Sequence, residues 1–329
     1  MKRGIALLVG LLAASPAAAQ KGPSFDCARA ESAVDRAICK DPELAKADRE
    51  LAAAYTALLD RLKGAEREEA IKGQGRWVAN RNRACTQGPV EVAECLKGRY
   101  APRIASLRAF AVAPYPAIAE QTMAARGRFG QLGWSYDITF PRFDGKGADF
   151  GAVNTRYAND ALKRAQDATP NDIVGLDEDR GWEFEQTFAV ERPPGGTVAS
   201  IVVQFYGYSG GAHGYGATLC SAVDLSTGRF VTPATVFAGD PVPRQLHQMV
   251  VADLRRQFKE RPGDEGSLEA NSMAKMLRET ARYCWGARHL EIVFNAYDVG
   301  PYAAGPYSVE IPYDRLKPLM RPDGPIAVR

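Results

Sequence analysis

The stretch Ser209-Gly210-Gly211-Ala212-His213-Gly214-Tyr215-Gly216 separates two alternating runs, Ser200 to Tyr208 and Ala217 to Leu225. Alternation of apolar and polar residues with period two marks a half-buried strand, so these eight residues read as a glycine-dense turn between two strands. Four glycines leave the backbone free to adopt positive φ or to pass close to a partner. One imidazole, His213, stands at the centre, with Tyr206, Tyr208 and Tyr215 around it. Three readings fit: a bulged hairpin whose histidine satisfies local backbone groups, a recognition loop whose tyrosines give rigid contact surface, and a catalytic histidine.

The strand pattern extends to both sides of this turn. Trp182 to Arg192 pairs with Val198 to Tyr208 around Pro193-Pro194-Gly195-Gly196, and Ser226-Thr227-Gly228 closes the strand after the histidine loop. Leu132 to Phe143 is a further strand, followed by a helix over Asp149 to Asp167. Helices over Pro243 to Phe258 and Leu268 to Tyr283 precede strands at Arg288 to Tyr297 and Tyr307 to Ile311, with a short helix or turn from Tyr313 to Met320. Strands and helices without strict β-α-β alternation predict an α+β unit with a mainly antiparallel sheet, over 125–322.

Upstream the period changes to that of helices. Ser32 and Asp35 have the spacing of a capping box, and Asp41-Pro42-Glu43 places proline at a first helical position. Leu44, Leu51, Tyr55, Leu58 and Leu62 make one stripe, and Gly64 ends it. Ile71, Gln74, Trp77, Val78 and Arg81 share a face of the next helix. Val92, Leu96, Tyr100, Ile104 and Leu107 line the last, which contains Pro102. Residues 22–110 therefore form an all-α module. Val112 to Ile118, with Pro114 and Pro116, breaks the pattern and predicts a linker over 111–124.

At the start, Lys2 and Arg3 precede an apolar run from Ile5 to Ala14 and then Ser15-Pro16-Ala17-Ala18-Ala19-Gln20. This is the layout of a signal peptide over 1–19, cleaved after Ala19, with an apolar run too short to anchor the chain. The expected product is a periplasmic or secreted protein without a membrane anchor. Loss of Lys2 and Arg3 lowers the formal charge from +3 to +1. So small a charge argues against nucleic acid or an anionic membrane as the main partner.

Six cysteines, Cys27, Cys39, Cys85, Cys95, Cys220 and Cys284, form an even set in an exported chain and read as disulfides. Four lie in the first hundred residues, which predicts two bridges there and one downstream. Cys85 and Cys95 straddle the turn at Gln87-Gly88-Pro89 and are placed for a local bridge. Cys27 and Cys39 can pair only if the chain before Ser32 folds back, because a continuous helix would hold them ~18 Å apart. Crossed pairing among these four stays open. A Cys220–Cys284 bridge would tie the strand after the histidine loop to the segment before Arg288, closing about 64 residues and adding roughly 4 kcal/mol in the chain-entropy model.

Phe25-Asp26-Cys27-Ala28, Ile38-Cys39-Lys40-Asp41-Pro42-Glu43-Leu44-Ala45, Asp48-x-x-Leu51-Ala52-x-x-Tyr55, Trp77, Arg81, Cys85, Cys95-Leu96, Tyr100 and Arg103-Ile104 carry a resemblance to the N-terminal family of LprI-type lysozyme inhibitors. That resemblance implies a disulfide-stapled helical fold, with most of these residues in its core. Tyr136-Asp137-Ile138-Thr139-Phe140-Pro141, Gly210-Gly211-Ala212-His213-Gly214, Asp224-Leu225-x-Thr227-Gly228, Val236-Phe237, Phe294 through Gly305 and Val309-Glu310-Ile311-Pro312-Tyr313 resemble the extracellular domain of RsiV-type anti-sigma factors, which is a lysozyme receptor. The transmembrane and sigma-binding parts of those proteins have no counterpart here, so anti-sigma signalling is not expected.

The remaining chemistry is sparse. His247 and His289 show no H-x-H or H-E-x-x-H spacing, and no G-x-S-x-G elbow or phosphate loop occurs, so no metal, cofactor or enzymatic activity is expected. Tyr297-Asp298-Val299-Gly300-Pro301-Tyr302-Ala303-Ala304-Gly305 is a second glycine- and tyrosine-rich loop. Asp298 and His213 could meet as an acid–base pair, or as a structural hydrogen bond joining two loops; the second is preferred. Asp177-Glu178-Asp179, with Glu183 and Glu185, could steer a basic partner or simply form a solvated hairpin end. The expected function is a cell-envelope binding protein, a lysozyme inhibitor or lysozyme-interacting protein, with His213, Tyr215, Tyr208, Tyr297, Asp298 and Tyr302 as contact residues. Peptidoglycan or glycan binding is the alternative.

Overall fold

The computed structural model describes residues 22–87, 91–110, 117–144, 148–170 and 181–328. The signal peptide, the Gly88-Pro89 turn, residues 111–116 of the expected linker and the Asp177-Glu178-Asp179 cluster lie outside the described residues.

Four helices open the chain: α1 (Ala33–Lys40), α2 (Pro42–Arg61), α3 (Gly64–Gln87) and α4 (Val92–Ala109). Ser32 and Asp35 close the capping box of α1, and Asp41 accepts from Glu43 and Leu44 to cap α2 behind Pro42 at the first turn. A single-turn 3-10 segment at Cys27–Arg29 folds the chain back, so that Cys27 bonds Cys39 across a Cα separation of 5.9 Å. Cys85 bonds Cys95, joining the end of α3 to the start of α4. Of the residues behind the LprI resemblance, Ile38, Leu44, Asp48, Leu51, Cys85 and Tyr100 are among those buried, whereas Asp26, Cys27, Ala28, Lys40, Pro42 and Glu43 are exposed. Asp48 accepts from Ser24 and from the Tyr100 hydroxyl (3.0 Å), which in turn accepts from Arg81 (2.9 Å). Trp77 stands edge-on to Tyr100, with the Arg81 guanidinium over its ring.

Next come β1 (Ala117–Phe129), β2 (Leu132–Asp144), α5 (Gly151–Asp167), β3 (Trp182–Glu191), β4 (Val198–Tyr208), β5 (Tyr215–Asp224) and β6 (Arg229–Val231). They form one sheet in the order β1-β2-β3-β4-β5-β6, antiparallel throughout except for β2 and β3, which run parallel on either side of the α5 crossover. The rest is α6 (Pro233–Val236), α7 (Arg244–Gln257), α8 (Ala270–Leu277), β7 (Tyr283–Trp285), β8 (His289–Phe294), β9 (Tyr307–Pro312) and α9 (Tyr313–Leu316). Strands β7-β8-β9 make a second, antiparallel sheet. The architecture is thus disulfide-linked helices followed by a mainly antiparallel α+β portion.

Two differences from the sequence reading concern the boundary. The linker expected over 111–124 is strand from Ala117 onward, and β1 pairs with β2 along its whole length. Nor does packing divide at the helices: one core runs from Leu51 and Leu107 of the helices through Ile138, Val190 and Ile201 of the sheet to Tyr157 of α5. The pairing of β2 with β3 ends at Ile138 and Gln186, and beyond it β3 packs on α4. There the Ser106 hydroxyl accepts from the Val190 amide, Arg192 donates to the Ala109 carbonyl and Phe110 stacks on Phe188 at 5.7 Å. A second core lies between the small sheet and α7–α9, centred on Trp285, Phe294 and Leu254.

Helix α5 covers one face of the large sheet, where Tyr157 meets Ser221 at 2.7 Å. Strand alternation puts Ser200 and Cys220 on the other face, and the small sheet docks there. Cys220 bonds Cys284, and the Trp285 amide donates to the Ser200 hydroxyl.

Candidate functional site

The predicted turn bends between β4 and β5 at residues 209–214, with Gly210 and Gly211 at φ +94° and +89°. Those values lie in the left-handed region that glycine enters without cost. Gly207 sits opposite Tyr215 in the β4–β5 register, and the Tyr215 ring covers the space a side chain at 207 would need. Tyr206 lies likewise against Gly214. Each bare glycine is thus roofed by a tyrosine, and both tyrosines keep an open face: Tyr206 is 48% and Tyr215 44% exposed. Burial, with a contribution from the Asp167 charge, raises the Tyr215 phenol above its ordinary pKa.

The second loop follows β8 and meets the first. The His213 and Tyr302 rings stack with centroids 3.8 Å apart and planes within 16°. The Tyr302 hydroxyl donates to the Gly214 carbonyl (2.9 Å), which also accepts from His213 Nδ1 (2.8 Å). A carbonyl can only accept, so Nδ1 carries a hydrogen. Tyr297 leans on Tyr302 at 5.7 Å and is 66% exposed. It holds φ +72°, the only non-glycine residue at positive φ among those described.

Beneath the loops the framework is tight. Asn295 acts as a short strand edge, accepting from the Thr218 amide (2.8 Å) and donating to the Thr218 carbonyl (3.1 Å). Asp298 accepts from the Asn295 amide and from Nη1 of Arg282, itself buried; the same Nη1 donates to the Val293 carbonyl, and Nη2 reaches Glu279. The Cys220–Cys284 bridge pins β5 to β7 directly below.

This arrangement sorts the candidate residues. His213, Tyr297 and Tyr302 stack together, with Tyr206 lying against Gly214 beside them; the sequence reading set Tyr206 beside the histidine without including it among the contacts. Tyr215 covers Gly207 on the opposite face of the sheet, toward Asp167 at the end of α5. Tyr208 does not join them: it is buried, and its hydroxyl holds the Gly211 carbonyl at 3.0 Å. Asp298 does not join them either, because the buried Arg282 needs its charge. His213 and Asp298 therefore make neither of the pairings considered for them among the described contacts, and Tyr302 supplies the link between loops instead. The other histidines are elsewhere, His247 on α7 and His289 at the start of β8, 3.9 Å from Glu310. Among the described residues no three His, Cys, Asp or Glu side chains gather as metal ligands.

Comparison with known families and structures matches both ends of the chain. Residues 26–107 match the family described as lysozyme inhibitor LprI, and residues 237–314 match a family described as a protein of unknown function, DUF3298. No curated protein matches. Among solved structures, a DUF3298 family protein from Pseudomonas aeruginosa PAO1 aligns with a TM-score of 0.45 at 16% identity, over 66% of this chain and 98% of that one. A DUF3298 family member from Bacteroides fragilis NCTC 9343 aligns with a TM-score of 0.42 at 16% identity, over 63% and 95%. The chain thus carries a lysozyme inhibitor LprI match on its helices and a DUF3298 match that spans the small sheet and the second loop of the platform.

Proposed function

We propose that this is an exported binding protein of the cell envelope that engages a lysozyme, with the two-loop tyrosine platform as its contact surface. The observation that carries the reading is the His213–Tyr302 stack, which locks two chain-distant loops into one rigid projection. Rigid aromatic surface binds at low entropic cost, and exposed tyrosines dominate contact energy in many recognition surfaces. The same residues, Gly210 to Gly214 and Phe294 to Gly305, carry the resemblance to the lysozyme-receptor domain of RsiV-type proteins. The LprI match on the helices points to the same class of partner. A projection bearing phenol hydroxyls, which can donate, suits a glycosidase cleft lined by paired carboxylates.

The test is biolayer interferometry of residues 20–329 against c-type and g-type lysozymes, with a cell-wall turbidity assay alongside. The double substitution His213→Ala, Tyr215→Ala is expected to weaken binding at least about thirtyfold, since two contacts of about 1–2 kcal/mol each are removed. The melting temperature should stay close to that of the parent. Unchanged affinity would move the contact surface off the platform. The open faces of Tyr206, Tyr215 and Tyr297 also favour a second reading, stacking against sugar rings. Co-sedimentation with insoluble peptidoglycan in the absence of lysozyme separates the two.

A further inference from the structure

A cavity of about 440 Å³ opens between α3–α4 and the face of β3–β4 next to the platform. That volume is in the range of small-molecule sites. Its helical wall carries Arg76, Arg81, Arg99 and Arg103. Arg103 is neutralised by Glu120 at 2.8 Å. Arg81 is held only by neutral oxygens, the Tyr100 hydroxyl and the Asn82 amide, and Arg76, Arg81 and Arg99 form no ion pair among the described residues. Glu185 is the one other carboxylate on the lining. A chain that is close to neutral overall therefore concentrates cationic groups in one recess.

Arg76 adds an independent sign. Its Nε and Nη2 are shielded from solvent and have no hydrogen-bond acceptor among the described residues. Shielded guanidinium hydrogens without an acceptor are costly, and an oxyanion is the group that accepts from such a fork on two oxygens at once. The lining also holds aromatic rings, Trp77 on the helical side and Phe205 and Tyr206 on the sheet, among smaller polar and apolar side chains. Trp77 is itself fixed between the Arg81 and Arg103 guanidiniums, whose carbons lie 5.2 and 5.6 Å from its ring centroid.

We propose that this cavity is a binding site for a small carboxylate- or phosphate-bearing ligand with a ring-shaped body. The oxyanion sits at Arg76 and Arg99, and the ring lies along Trp77 and Tyr206. Tyr206 also lies against Gly214 of the histidine loop, so the cavity and the platform share a wall. The assignment does not rest on lysozyme binding, which is read at the loops.

Isothermal titration calorimetry of residues 20–329 tests it with three probes: N-acetylmuramic acid, its uncharged relative N-acetylglucosamine, and inorganic phosphate. The acid is expected to bind at least about tenfold more tightly than the neutral sugar, and more weakly as salt is raised. Arg76→Gln and Arg99→Gln should each weaken it by about tenfold. Tighter binding of the sugar acid than of phosphate assigns the carboxylate source, and the reverse assigns phosphate. Arg99 is the more peripheral of the two, so its variant keeps the test open should Arg76→Gln not fold. Equal affinity for charged and neutral sugars, affinity untouched by either substitution, or no binding of any probe up to about 10 mM overturns the proposal.

Discussion

Tyr297 holds a backbone conformation that asparagine adopts at lower cost, and it does so with most of its ring in solvent. The hydrogen bonds between Asn295 and Asp298 close a tight turn around it. Strain of this kind persists where the surroundings over-determine it, and exposed rings have no packing reason to be there. Tyr297→Asn is therefore expected to raise stability by about 0.5–1 kcal/mol while lowering affinity for the platform's partner. Urea denaturation and interferometry on the same variant check both halves. A variant that loses stability would show that the tyrosine belongs to the framework. Asp298 shows the opposite logic. Its type and place suggest chemistry in the sequence, but a buried arginine sixteen residues earlier claims it, and no local pattern announces such a partner.

Between elements, the Arg103–Glu120 pair joins α4 to β1 with both side chains almost fully buried, at 5% and 7% exposure. Gln74 fixes the guanidinium from α3, at 3.1 Å. Removing one member of such a pair strands the other charge in the core, so Glu120→Gln should cost about 3 kcal/mol, read as a shift of the urea midpoint. A cost within about 0.5 kcal/mol would mean that water reaches the pair. Strand β1 is also where sequence reasoning fell short. Ala117 to Ala125 lacks clean alternation, and its flanking prolines read as linker. Its identity as a strand comes from pairing with β2 and from the cover α3 provides, both of them non-local. The helices, β2 to β5, α5 and the Cys220–Cys284 bridge were legible because caps, periodicity and cysteine placement can be read from the chain, whereas the pairing among Cys27, Cys39, Cys85 and Cys95 stayed open because it depends on the fold-back at Cys27–Arg29.

At the scale of the whole molecule, the shared core ties the helices to the sheet. Residues 22–110 produced alone would expose Leu107, Phe110 and the Arg103 side chain, all buried in the chain. That fragment is expected to lack a cooperative thermal transition by circular dichroism, whereas 20–329 should melt its helices together with β1 to β4. A fragment that melts sharply at the parent's temperature would restore an independent helical domain. The buried tyrosines set a second global property. Burial raises the pKa of Tyr100, Tyr157, Tyr283 and Tyr313. Their contribution is complete below the unfolded phenol value near 10, and it declines as pH rises above it, because the unfolded chain gives up protons that the folded chain keeps. Each costs about 1.4 kcal/mol per pH unit in that window. Alkaline unfolding should therefore be steep above about pH 10, with tyrosinate absorbance rising together with loss of ellipticity. Absorbance that rises first, on a folded protein, would place these phenols in contact with water.

The packing of the end of α4 on β3 also bears on the order in which the chain matures. Synthesis delivers the helices first, and their two bridges close sequence separations of only 12 and 10 residues, so oxidation there can precede everything downstream. Yet the far end of α4 has nowhere to bury Phe110 until β3 arrives. The helical half therefore waits, oxidised but unfinished, for most of translation, and the bridge spanning 64 residues seals the molecule last.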